Sequence, residues 1–294
     1  MAKARKILSR LSAVRNVRAV TAAMEAIASS RFKKAHNQAV AIRPYTARLI
    51  ALARDVIERG RKRLKHPLLE VDRSVERDVL LVLTGSRGLC GGYNDSVIRM
   101  ALERRGQLAD AGHEVLLHVV GKKGIQLLTF QKVRIESQYT AFSFPPEYAE
   151  TCSLANTLID ACLSGRIGAL EVAYMQFVSP GKQSPAVAQL VPLTPDPHGE
   201  TDVDEPDGPV DYDFIPSRQE ILDRLLPASV RLRMYQCFLD AAVGEQIARI
   251  EAMRAGTENA DEMIQNLTRR YNRVRQGQIT TELAEILGGR GDAD

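Results

Sequence analysis

The segment Leu83 to Asn94, LTGSRGLCGGYN, sets four glycines within eight residues behind a short apolar run. A strand that ends in a glycine-rich turn and opens into a helix is where backbone N–H groups can cradle phosphate. The P-loop form of that cradle needs GxxxxGK[ST], because the lysine reaches the β and γ phosphates and the hydroxyl holds magnesium. Here Gly85 is followed, after SRGL, by Cys90, and no Lys-Ser or Lys-Thr pair closes the loop. The dinucleotide fingerprint fails too: the turn has no Gly-x-Gly spacing, and the next apolar run ends at His118 to Gly121 without an acid. Both phosphate motifs lack the parts their chemistry requires. Arg87, Gly88, Cys90, Gly91 and Gly92 are therefore read as a structural turn, with glycine serving close backbone approach or positive φ.

Other chemistry is equally scarce. The five histidines (36, 66, 113, 118 and 198) are scattered, and neither HExxH nor GxSxG occurs. Carboxylates between Glu245 and Glu262 are what any solvated helix face carries. Cys90, Cys152, Cys162 and Cys237 form no CxxC pair and have no companion histidine, which reads as reduced thiols without a metal. The sequence implies no cofactor and no catalytic site.

The long elements carry more information. From Lys3 to about Arg59 there is no glycine and one proline, Pro44, and apolar or small residues recur at Ile7, Leu11, Val14, Val17, Thr21, Met24, Ile27 and Ala28. Steps of three and four predict one long helix, ended by Gly60 and Pro67, with a kink expected at Pro44. After Pro227 a second helix is expected to about Leu287. Its seam steps through Ile250, Met253, Thr257, Ala260, Ile264, Leu267, Tyr271, Val274, Gln278 and Thr281 before Gly288 and Gly289 end it. A helix of this length needs a partner for its apolar stripe. The two are natural partners, paired antiparallel as a coiled coil, and polar seam residues predict a pair that something else must surround.

The middle alternates between strand and helix. Asp78–Thr84, Glu114–Gly121 and Ala169–Val178 read as strands, with Pro185–Leu193 as a further one. Helical patterns lie at about 94–111, 122–129 and 147–163, so an open, parallel, Rossmann-like sheet is expected. Pro195–Asp213 holds eight acids, four prolines, two glycines and no Lys or Arg, and reads as an exposed loop. The fold class is thus α/β: a coiled coil of terminal helices, 1–72 and 214–294, around a central domain at 73–213.

Charge narrows the partners. Residues 1–65 carry 17 Lys or Arg against three acids, Glu25, Asp55 and Glu58, which leaves 23 basic and 33 acidic side chains for the rest. A cationic rod suits nucleic acid, an anionic membrane surface or an acidic protein. A basic coiled-coil nucleic-acid-binding protein is the alternative function, yet the arm offers only Phe32 and Tyr45 for stacking on bases. No 18-residue window free of charge exists to span a membrane. The N-terminus lacks the apolar core of a secretory signal.

Several blocks together resemble one family. TAAMEAIASSRFKKA at Thr21–Ala35, Arg43-Pro44-Tyr45, RGLCGG at Arg87–Gly92, and the tail from Glu251 to Gly289 are similar, in order and spacing, to gamma subunits of F-type ATP synthase. The resemblance implies a rotating shaft inside three alpha and three beta subunits. It also implies a foot that binds the epsilon subunit and the membrane c-ring, at the cytoplasmic face of a bacterial plasma membrane. It implies torque passed between ion flow and the nucleotide sites of beta, with no ATP bound by this chain. The family's contact residues match at Met24, Arg249, Arg275, Gln276, Thr280 and Glu282, with Arg275 and Gln276 set against the beta catch loop. Ala22 and Ser86 stand where the family often has Lys and Asp.

Overall fold

The computed structural model describes residues 2–58, 66–69, 75–179, 181–193 and 217–288. The expected domain limits at 72/73 and 213/214, and the acidic stretch 195–213, fall outside these residues. Two long helices bracket the chain, α1 (Ala2–Glu58) and α5 (Arg218–Gly288). Between them lie β1 (Arg77–Leu83), α2 (Tyr93–Asp110), β2 (Glu114–Val120), α3 (Lys122–Phe130), β3 (Ser137–Tyr139), α4 (Tyr148–Leu163), β4 (Ala169–Ser179) and β5 (Lys182–Val191). The chain is α/β, with terminal helices and a central sheet. It divides into two compact units, residues 30–248 and the pair 1–29 with 249–294.

The unit 30–248 is built on a five-stranded sheet in the order β3-β2-β1-β4-β5. β1 pairs parallel with β2 and with β4, and β2 pairs parallel with β3. Strand β1 is apolar on both faces because both are covered. Val79, Leu81 and Leu83 join a core with Leu154 and Leu158 of α4 and Leu222, Leu226 and Phe238 of α5. Leu80 and Val82 join the opposite core with Val97 and Ile98 of α2 and Leu128 of α3.

Three expectations change here. The sheet is mixed rather than parallel: β5 begins at Lys182, three residues before the expected strand, and runs antiparallel to β4. Two residues separate β4 from β5, too few for the crossover that parallel strands require. Strand β3 was not expected; three residues are too short to show a period. Helix α5 starts at Arg218, with Pro227 inside it. An interior proline costs about 3 kcal/mol, but fully buried Leu222, Leu226 and Val230 flank it. Each such burial gains roughly 1.5–3 kcal/mol, so packing carries the helix through. Pro44 likewise lies inside α1.

In the other unit α1 and α5 run antiparallel, as the pairs Arg18–Asp261, Thr21–Thr257 and Glu25–Arg254 require. The seam of α5 falls where its spacing places it as far as Gln278: Met253 and Ala260 are buried, and Thr257, Ile264, Leu267, Tyr271, Val274 and Gln278 are half-buried, whereas Thr281, expected on it, is exposed. On α1 the stripe needs correction. Leu11 and Ala28 are buried and Ile7, Val14 and Thr21 half-buried, but Val17 and Ile27 are each 55% exposed and Met24 is 36% exposed. The steps of three and four run instead through Arg18, Thr21, Glu25 and Ala28, with the charged side chains meeting partners on α5.

Candidate functional site: glycine turn and exposed helix faces

The turn after β1 is closed by its own atoms. Gly85 N–H donates to Asn94 Oδ1 at 2.9 Å, Asn94 Nδ2 donates to Cys90 Sγ at 3.2 Å, and Tyr93 N–H donates to Cys90 O at 3.2 Å. Gly91 sits at φ 53° and Leu89 at φ 63°, the positive-φ positions that bend the chain into α2. A Cβ on Gly85 would stand 3.0 Å from the carboxylate carbon of Glu245 on α5. The helix therefore lies on the glycine where a phosphate would approach, and it brings a carboxylate with it. An anion would meet repulsion from Glu245, and Lys123, which stands beside Gly88, comes from α3 and not from the turn itself.

Glycines fasten neighbouring elements as well. A Cβ on Gly121, at φ 99°, would collide with the Thr84 carbonyl oxygen, so β1 and the start of α3 touch through backbone. Thr84 Oγ1 donates to Val120 O at 2.6 Å and accepts from Gly124 N–H at 3.1 Å. Tyr93 Oη donates to Ala241 O at 3.0 Å, tying α2 to α5, and a Cβ on Gly244 would lie 2.8 Å from Met175 Cγ. Close approach by glycine thus occurs at Gly85, Gly121 and Gly244, while Gly88 and Gly92 have room beside them.

Buried ion pairs, which spacing alone did not reveal, stiffen the same unit. Arg104 of α2 holds Glu171 of β4 bidentately at 2.6 and 2.8 Å. Beside them a groove of about 370 Å³ is lined by Met100, Arg104, Gln107, Glu171, Val187 and Gln189, and its two opposite charges already satisfy each other. His113 Nδ1 lies 2.9 Å from Asp78 Oδ2, and burial holds the Asp78 carboxyl above the usual range while His113 pulls it down. Burial pushes the Cys162 thiol up to about 12, which keeps it protonated. Among the described residues no three metal-ligating side chains gather, and no helix is long and apolar enough to cross a membrane.

The expected contact residues fall into separate groups. Met24 lies exposed on α1, in line with Val17, Val20 and Ile27 on the face turned from α5's seam. Arg249 is buried on α5. Arg275, Gln276, Thr280 and Glu282 are exposed on successive turns of α5, where Thr280 Oγ1 donates to Gln276 O at 2.9 Å. Ile279 and Leu283 are exposed among them.

Comparison with known proteins now adds lineage to geometry. The family model described as ATP synthase matches residues 3–291. The ATP synthase gamma chain of Rhodopirellula baltica is 38% identical over 98% of both chains. That of Frankia casuarinae is 36% identical over 97% of this chain and 96% of its own. Among solved structures, the rotor of Euglena gracilis mitochondrial ATP synthase superposes with TM-score 0.63 at 16% identity, covering 95% of this chain and 99% of that one. The Tetrahymena thermophila central stalk and c-ring structure gives 0.55 over 80% of this chain and 98% of that one, which speaks to the fold. A match along nearly the whole length to named relatives leaves no room for another lineage: the chain belongs to the ATP synthase gamma chain family.

Proposed function

We propose that this chain is the central-stalk rotor subunit of an F-type ATP synthase. It passes torque between ion flow through a c-ring and the nucleotide sites of three beta subunits, and it does no chemistry of its own. The observation that carries this reading is the antiparallel pair of α1 and α5, whose seam buries little. Between Ala2 and Ser29, α1 bears six Lys or Arg against Glu25 alone. Diffuse positive charge attracts acidic loops on alpha and beta without fixing one angular position, which suits a shaft that must turn past three of them. Exposed Met24, Arg275, Gln276, Thr280 and Glu282 are assigned to contacts with those subunits, and Arg249, buried in the free chain, is assigned with them only on the family resemblance. Epsilon and the c-ring take the sheet-bearing unit. The subunit is peripheral, at the cytoplasmic face of a bacterial plasma membrane.

Affinity purification of the tagged chain from its own cells tests this. Alpha, beta and epsilon subunits are expected in stoichiometric amounts after a high-salt wash. Recovery of DNA or RNA in their place would overturn the assignment in favour of a nucleic-acid-binding coiled coil.

A further inference from the structure

We propose that Arg18, Thr21 and Glu25 of α1, with Asp261, Thr257 and Arg254 of α5, form a register pin that stops the two helices from sliding along each other by one heptad. The pin is a property of the helix pair and does not depend on the rotor assignment.

Three adjacent layers are polar on both sides. Arg18 Nε donates to Asp261 Oδ1 at 2.5 Å, and Arg254 Nε donates to Glu25 Oε1 at 3.1 Å. Between them the hydroxyls of Thr21 and Thr257 stand 2.8 Å apart. Each hydroxyl also has a carbonyl on its own helix, Arg18 O for Thr21 and Met253 O for Thr257, both at 3.0 Å. One hydroxyl can therefore donate across the seam while the other donates back to its own helix. Gly256 faces Thr21, where a Cβ would already touch the Thr21 methyl at 3.4 Å. The layer is close and directional.

Between Ile7 and Thr21 of α1, and between Thr257 and Val274 of α5, the apolar layers do not choose a register; further along the same helices Arg43 and Asp240 form a separate fixed pair. One heptad, about 10 Å of travel, is the smallest slide that brings like seam positions back together. Stepping by heptads from the Thr21–Thr257 layer sets Val14 opposite Ile264 and Ile7 opposite Tyr271 in the observed register. A slide one way sets Val14 against Tyr271 and Leu11 against Val274. A slide the other way sets Ile7 against Ile264 and Leu11 against Ala260. All of these are apolar contacts of much the same quality. The polar layers do distinguish the three states. The first slide brings Glu25 to Asp261 and leaves Thr21 on Ile264. The second brings Arg18 to Arg254 and leaves Thr21 on Ile250. Each thus opposes like charges and strands a hydroxyl, while the observed register alone pairs all three layers. Exposed pairs add little stability, but polar groups in a seam are well suited to specifying alignment.

Single charge reversals make this testable, because each should redirect the slide. With Arg18→Asp, position 18 repels Asp261 and attracts Arg254. With Asp261→Arg, position 261 repels Arg18 and attracts Glu25. Cysteines at Ile7, Val14, Ile264 and Tyr271, tested in pairs in the full-length chain, report all three registers by disulfide trapping. With the pin intact, Val14→Cys/Ile264→Cys and Ile7→Cys/Tyr271→Cys should cross-link, and the two slipped pairs should give less than about a tenth as much. Asp261→Arg should raise the Val14→Cys/Tyr271→Cys product about tenfold or more, and Arg18→Asp should do the same for Ile7→Cys/Ile264→Cys only. An equal rise of both slipped products, no rise in either variant, or loss of every cross-link overturns the pin.

Discussion

Asp240 shows how much one buried group can carry. It sits on α5 with its side chain 5% exposed, 3.4 Å from Arg43 Nη2 of α1. The same Arg43 nitrogen donates to Phe177 O of β4 at 2.6 Å, so one guanidinium joins three elements. Burial pushes the Asp240 carboxyl up to about 6, and Arg43 recovers only part of that shift. Because this lies above the usual unfolded value near 4, the folded chain binds the proton more tightly. The stabilisation is whole below about pH 4 and is lost as pH rises through about 6. In urea melts, the stability of the wild type minus that of Asp240→Asn should therefore fall by on the order of 2–3 kcal/mol between pH 4 and pH 7; a constant difference would show that the carboxyl is not perturbed. Sequence reading does not reach this residue, since an acid in the run FLDAAV looks like any helix charge until α1 and β4 close over it. The glycine turn was more legible. A missing lysine is visible in the sequence, whereas Glu245, which lies on Gly85, is 160 residues away.

Among the elements, the seam of α5 could be read directly, because polar Thr257 and Gln278 keep the same steps as the apolar residues around them. That of α1 could not. Val17, Val20, Met24 and Ile27 offer a rival apolar stripe, more hydrophobic than the real one, while the seam positions Arg18 and Glu25 look like solvent-facing charges until Asp261 and Arg254 are set opposite them. Elements fail to announce themselves when tertiary partners override local preference, as at Pro227 and in the three residues of β3. The same imbalance predicts where α5 is weak. From Val230 to Ala242 most of its side chains are buried against the sheet, whereas none of residues 261–284 is buried. Amide exchange in the free full-length chain should be slow in the first segment and faster by about a hundredfold or more in the second, since the number of buried neighbours sets the local opening energy. In the assembled complex the second segment should become protected. Uniform protection in the free chain would reject the idea of a shaft that relies on its surroundings.

For the molecule as a whole, the question is whether exposed residues near the end of α5 transmit force. Arg275 and Gln276 suit a clean test for structural reasons. Both are exposed, and neither lines either core. Replacing them with Ala opens no cavity and places the best helix former at each position, so the stability of the free chain should move by no more than about 0.5 kcal/mol. Any larger effect in the assembled complex then has to come from contacts made outside this chain. A pair of interface residues that includes an arginine commonly carries at least about 1 kcal/mol, which corresponds to about a fivefold change in an equilibrium or rate. Steady-state ATP hydrolysis by complex reconstituted with the Arg275→Ala/Gln276→Ala chain should accordingly drop about fivefold, while its thermal melt and its recovery with alpha and beta stay as in the wild type. If turnover holds at the wild-type level, these two side chains are bystanders, and the force must enter through the diffuse charge of α1 or the exposed line from Val17 to Ile27. If recovery with alpha and beta falls along with turnover, the pair holds the assembly together rather than coupling rotation to the nucleotide sites.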